Sequence, residues 1–146
     1  MLQTSLIKEF LESKSIAVVG VSRKKDIPAN AIFKKMADSG YDTYAINPNT
    51  ADIDGIPCFP SISDLPEKPD SVFLAGPPHV SEIVVKECVV LGIKKVWMHK
   101  GIGDGSYSKT AQDYCRENGI EAIINGCPMM FIKPIDPFHR ILRWFK

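Results

Sequence analysis

The sequence predicts a single α/β domain of Rossmann-like type. The expected sheet is parallel, about five-stranded, in the order 3-2-1-4-5, with helices on both faces. Three observations predict it. Short apolar runs alternate along the chain with segments of helical periodicity. The first run, Ile16-Ala17-Val18-Val19, is apolar without interruption, as suits a strand buried on both faces. That run breaks at Gly20 and passes through Ser22, Arg23, Lys24 and Lys25 into a helical pattern. A strand, a glycine turn and a helix start together form a common anion-binding arrangement, because the first N–H groups of a helix are unpaired and carry partial positive charge.

Each element follows in chain order. Thr4 to Glu12 reads as a short helix with Leu6, Phe10 and Leu11 on one face, packed across the sheet edge or against a partner chain. Ser15 to Val19 is the first strand, followed by the loop Gly20 to Ala29 with Pro28 near the next helix start. That helix runs from Asn30 to Ser39, turns Ile32, Phe33 and Met36 inward, and stops at Gly40. Tyr41 to Asn47 is the second strand and ends in the turn cluster Asn47-Pro48-Asn49. Ala51 to Lys68 is an irregular lateral crossover with a short extended piece at Pro57 to Phe59. A helical turn at Ser61 to Leu65 would be capped by Ser61, with Asp64 three residues on. Ser71 to Ala75 is the third strand, broken by Gly76-Pro77-Pro78. A helix over Ser81 to Leu91 follows, with Ile83, Val84, Glu87, Cys88 and Leu91 near one face. Lys95 to His99 is the fourth strand, Lys100 to Gly105 a glycine-rich loop, Ser106 to Asn118 a helix, and Glu121 to Ile124 the fifth strand. Gly126-Cys127-Pro128 turns away, and the tail places Phe138, Ile141, Leu142 and Phe145 at helical spacing, for packing or a dimer contact. The domain spans 1–146, with its core at 15–128, an N-terminal helix in 1–14 and a tail at 129–146. In the expected order, strands one and four flank the switch point, and a ligand lies above Gly20 and the Gly76 loop.

The bulk numbers narrow the function classes. With 146 residues, 45% hydrophobic and 24% charged, the chain suits one globular domain with a real core. The formal net charge of +1 gives no global basic field for nucleic acid. No apolar run approaches a membrane span of about 18 residues, and the N-terminus has no signal-peptide pattern, so the expected location is the cytoplasm. Cys58, Cys88, Cys115 and Cys127 form no CxxC or zinc spacing and are expected as free thiols; no metal site is expected.

The glycine turn alone does not choose a ligand. It reads Gly20-Val21-Ser22, neither GxGxxG nor a P-loop. Sites for NAD place an acid at the end of the second strand to bind the ribose, and here Asn47-Pro48 stands there. The cations Arg23, Lys24 and Lys25 favour a ligand with extra phosphate, NADP-type or other. No Tyr-x-x-x-Lys pair accompanies them: positions four after Tyr41, Tyr44, Tyr107 and Tyr114 hold no lysine.

The order of further markers carries a family resemblance. Gly20-Val21-Ser22-Arg23, Asn30, Gly40-Tyr41, Ile46-Asn47-Pro48, Ile53-Asp54-Gly55 and Phe59-Pro60-Ser61-Ile62 are followed by Gly92 to Met98, Gly101-Ile102 and Gly126-Cys127-Pro128. From about Ser15 to Pro128 the chain resembles the small stand-alone CoA-binding proteins. That family is similar to the N-terminal CoA-binding domain of the succinyl-CoA synthetase α subunit. The resemblance implies coenzyme A, or an acyl-CoA, as ligand. It implies that Gly20, Val21, Ser22 and Arg23, with Lys24 or Lys25, cradle the diphosphate, with Asn30 a marker of the same site. It also implies that Asn47 and Pro48 lie beside the nucleotide, and that Gly76, Pro77 and Pro78 pack along adenine or pantetheine. A binding module without catalysis of its own is the first reading. An NADP-type oxidoreductase and a ligand-free interaction subunit are the alternatives. Cys127, His79 and His99 stand near the expected site without a catalytic partner at motif spacing, and core or rim roles are expected for them.

Overall fold

The β1 strand, Ser15–Val19, is buried at every residue and lies in the middle of the sheet. The computed structural model describes residues 3–23, 27–53, 55–100 and 105–124. Around β1 are arranged α1 (Gln3–Leu11), α2 (Pro28–Asp38), β2 (Asp42–Ile46), β3 (Asp52–Ile53), β4 (Ile56–Phe59), a 3-10 turn (Ile62–Asp64), β5 (Ser71–Leu74), α3 (Pro78–Leu91), β6 (Lys95–Met98), α4 (Lys109–Glu117) and β7 (Ile123–Ile124). Among the described residues the sheet has seven strands in the order β3-β4-β2-β1-β5-β6-β7, all parallel except the antiparallel β3–β4 pair.

This corrects the expected five strands and their order. The strand at Ser71 pairs directly with β1, in register Ile16 to Ser71 and Val19 to Leu74, on the side away from β2. The place beyond β2 is taken by β4, which pairs Ala45 with Cys58 and Ile46 with Phe59. The short extended piece in the crossover is therefore a full sheet member, and β3 folds back on it as the edge. The switch point accordingly lies between β1 and β5, not between β1 and the strand at Lys95. With β4 counted as the third parallel strand, the parallel set reads 3-2-1-4-5-6.

Alternation along the strands builds two cores. Ile16, Val18, Ala45, Phe73 and Trp97 face α1 and α2. Ala17, Val19, Ile46, Val72, Leu74, Val96 and Met98 face α3, α4 and the 3-10 turn. Each fully buried aliphatic side chain adds about 1.5–3 kcal/mol of transfer free energy, so strands buried on both faces dominate the stability. Phe10 of α1 meets the buried Trp97 ring edge-on at 5.3 Å, which settles that α1 packs on the β6 end of the sheet.

Helix starts differ from expectation where proline competes with a polar cap. α2 begins at Pro28 and α3 at Pro78, each with proline in the first turn, because its missing N–H and fixed φ suit that position. α4 begins at Lys109 because Ser108, rather than Ser106, caps it by accepting the Ala111 N–H at 3.1 Å. Ser61 does not cap the 3-10 turn; its hydroxyl donates to Asp64 at 2.8 Å. The Glu87 carboxylate of α3 accepts the Ile62 and Ser63 N–H groups instead. On α3 the inward face is Ser81, Val84, Val85 and Cys88, whereas Ile83 is exposed. The tail from residue 125 on, with Cys127, lies outside the described residues.

At the edge where the strands begin, Asp70 fixes the entry into β1 and β5. Its carboxylate accepts the Lys14 N–H at 2.8 Å and the Ser15 N–H at 3.4 Å, and its own N–H donates to Ser15 Oγ at 2.9 Å. The Lys14 N–H first, then Ser15 and nearby Lys95, hold this carboxyl below the usual carboxylate range. A depressed folded pKa gives stability that is present above the unfolded value and lost as pH falls through the folded value. Asp70→Asn is therefore expected to lower stability at neutral pH by about 0.5 kcal/mol, since the site is exposed and screened. Denaturant titrations from neutral pH down into the acid range should show that difference vanish as Asp70 protonates.

Candidate functional site

The candidate site lies where β1 and β5 end side by side. The Ala75 N–H donates to Val19 O at 2.9 Å and the Gly20 N–H to Ile46 O at 3.2 Å, so the ladders on both sides of β1 run to its last residue. Gly20 then turns with φ +113°, a conformation side chains disfavour. A Cβ there would stand 2.8 Å from Gly76 N and 2.9 Å from the Ala75 carbonyl carbon. The two loops are thus in backbone contact, and only glycine fits at position 20.

Two asparagine side chains fix the loop that follows. Asn30, in the first turn of α2, accepts the Ser22 N–H on Oδ1 at 3.0 Å and donates Nδ2 to the Ser22 carbonyl at 2.7 Å. One amide therefore satisfies both backbone groups of one residue. Asn47, just past β2, donates Nδ2 to the Val21 carbonyl at 2.8 Å, while its Oδ1 accepts the Asn49 N–H at 2.7 Å. Val21 itself is buried and joins the core shared with α2, which anchors the loop from below. The structure therefore brings together Gly20, Val21, Ser22, Asn30, Asn47 and Gly76. Pro48 is an exposed turn residue beside Asn47, while the exposed Pro77 and Pro78 supply the N-cap and first turn of α3. Lys24 and Lys25 lie outside the described residues.

The electrostatics favour an anion. α2 and α3 both start from this edge of the sheet, after β1 and β5, and neither has an acid in its first turn or a side-chain cap. Each helix therefore presents its partial positive end on the side of the sheet where β1 and β5 finish. Arg23 adds a full charge; its side chain is 71% exposed. It donates from Nε to the Asp52 carbonyl and pairs through Nη2 with Asp52 Oδ1, each at 3.4 Å. Sequence reasoning missed Asp52. The partners are 29 positions apart, and only the β3–β4 hairpin brings them together.

His99 stacks near Phe73, with ring centroids 5.8 Å apart, and His79 is exposed on α3. Cys58, Cys88 and Cys115 are buried free thiols. Burial pushes Cys88 up to about 12 and Cys115 to about 11, far from thiolate reactivity at neutral pH. Ser106 is tied to α3 and to β5: Ser81 Oγ of α3 donates to Ser106 O at 2.7 Å, and Ser106 Oγ donates to Leu74 O of β5 at 2.5 Å. A cavity of about 180 Å³ opens at the opposite edge of the sheet, lined by Leu6, Glu9, Lys94, Lys95, Gly119 and Glu121 among others. It shares no residue with the crevice. Among the described residues no helix is long and apolar enough to cross a membrane, and no group of acids, histidines and cysteines could hold a metal ion.

Comparison with known proteins gives this geometry a context. A family model described as "CoA binding domain" matches residues 14–133. An ADP-forming acetate–CoA ligase II of Archaeoglobus fulgidus is 28% identical over 122 residues, 78% of this chain and 18% of the ligase. The chain thus spans under a fifth of the length of that curated relative. An uncharacterized protein of Bacillus subtilis is 27% identical over 122 residues, covering 83% of this chain and 87% of that protein. Among solved structures, a hypothetical protein from Pyrococcus horikoshii superposes with a TM-score of 0.78 at 29% identity, over 88% of each chain.

Gly20→Ala is expected to cost more than about 2 kcal/mol, from the disfavoured φ and the forced separation of the Gly20 and Gly76 backbones. Asn30→Ala should cost about 1–2 kcal/mol, as it removes one hydrogen bond from each backbone group of Ser22. Urea unfolding of the two variants checks both values.

Proposed function

The chain belongs to the CoA binding domain family, and on that premise we propose that it binds coenzyme A, or an acyl-CoA, through the glycine turn after β1. The observation that carries the reading is the family match over residues 14–133, a span that includes Gly20 and Gly76. The crevice fits such a ligand on its own terms. Gly20 and Gly76 bring the two loops into backbone contact at the strand ends, and the two helix starts that follow favour an anion. Coenzyme A carries a diphosphate and a 3′-phosphate, and its ribose needs no acid at the end of β2, where Asn47 stands.

In this proposal Gly20, Val21 and Ser22 present the loop to the diphosphate, and Arg23 forks onto it, with Lys24 or Lys25 on a further phosphate. Asn30 and Asn47 act as positioning residues that hold the loop's shape before ligand arrives, which lowers the ordering cost of binding. Asn47 and Pro48 flank the nucleotide, while Gly76, Pro77 and Pro78 line the path of adenine or pantetheine. The chain holds the ligand without catalysis of its own. Free thiols are consistent with a reducing, cytoplasmic setting.

Calorimetric titration with CoA, dephospho-CoA, acetyl-CoA and NADPH tests the proposal. CoA should bind, dephospho-CoA should bind more weakly for want of the 3′-phosphate, and NADPH should not compete. Arg23→Ala should weaken CoA binding by about 1.5–3 kcal/mol. Binding of NADPH without CoA would overturn the reading in favour of an oxidoreductase.

A further inference from the structure

Resting on that reading, we propose that Asp52 is the counter-ion an incoming diphosphate displaces from Arg23, so that Asp52 sets how tightly the site holds its anionic ligand. Arg23 follows directly on the braced segment Gly20 to Ser22, and its mostly exposed side chain takes its direction from Asp52. Two separate atoms of Asp52 do this. The backbone carbonyl accepts Nε, which aims the side chain, and the carboxylate meets Nη2, which neutralises it.

Asp52 is the fixed member of the pair. Its Oδ2 accepts the Gly55 N–H at 3.3 Å, and its carbonyl also accepts the Thr50 hydroxyl at 2.8 Å. It lies in β3, paired with β4 through Asp52 to Pro57, and β4 is laid on β2. The guanidinium is therefore the partner that moves. Its pair with Asp52 is exposed on both sides, at 71% and 56%, and such pairs are weak in water. A bidentate guanidinium–phosphate contact is stronger, so exchange runs toward the ligand. The carboxylate then opposes binding in two ways: it sequesters Arg23 beforehand, and it repels the anion afterwards. Only the first needs Arg23.

Asp52→Asn separates aim from charge, because it keeps the carbonyl that receives Nε. Asp52→Ser provides a second variant should the first fold poorly, with thermal melts checking both. The full chain, its D52N and R23Q variants and the double variant are titrated calorimetrically with CoA and, separately, with inorganic pyrophosphate. D52N is expected to tighten both ligands about two- to fivefold, with the gain shrinking as salt is added and clearly smaller in the R23Q background, where only the direct repulsion is relieved. Unchanged or weaker binding in D52N overturns the proposal, as does an equal gain with and without Arg23. CoA binding that D52N leaves unaltered refutes the counter-ion and spares the CoA reading. Pyrophosphate tightened by D52N, with no CoA bound by any variant, does the reverse. Failure of every variant to bind either ligand refutes both.

Discussion

The structure depends on the contact between the backbones of Gly20 and Gly76. β1 and β5 are neighbours in the sheet, and their loops leave the same edge toward helices on opposite faces. For the loops to part there, they must first touch, and a Cβ on Gly20 would stand 2.8 Å from Gly76 N. α2 and α3 follow from these two loops, beginning at Pro28 and Pro78. The double burial of β1 serves that contact. A strand packed on both faces has little freedom to shift register, so its last residue and the turn after it are held in place.

Around that contact, polar side chains do the local work that a longer glycine motif does elsewhere. Asn30 reaches back from α2 and Asn47 reaches across from β2, so three elements converge on Val21 and Ser22. The loop is shaped by the protein itself, with the Gly20 N–H, the Val21 carbonyl and both backbone groups of Ser22 engaged. In the proposed binding mode a ligand meets a formed surface, with Arg23 as its adjustable part. The proposed site thus pairs a braced turn with one exposed cation that contacts Asp52 of the β3–β4 hairpin.

Much of this was legible in the sequence, and what was not has identifiable causes. The strands at Ser15, Ser71 and Lys95 declared themselves through apolar runs, since parallel strands buried on both faces leave little polar alternation. β4 did not, because Ile56 and Pro57 are exposed and only Cys58 is buried. Passing over it as a sheet member shifted the strand at Ser71 to the wrong side of β2 in the expected order. Helix starts were misplaced where a proline and a serine both offered themselves, as at Pro78 and Ser81. Gly20, Asn30, Asn47 and Gly76 were legible as site markers, yet nothing in their spacing revealed that the two asparagines hold the Val21 and Ser22 backbone. Asp52 was invisible because its partner is 29 residues away and the hairpin that joins them has only two residues in β3.

The central claim is that coenzyme A lies at the Gly20–Gly76 crevice, at the end of the sheet where β1 and β5 finish. Amide correlation spectra recorded with and without CoA test it residue by residue. The account predicts the largest shift changes at Gly20, Val21, Ser22 and Gly76, with smaller ones at Asn47 and Asp52. The other edge, around Lys94, Lys95, Gly119 and Glu121, should stay unperturbed. Changes concentrated at that opposite edge, or none at Gly20 to Ser22 under saturating CoA, would contradict it.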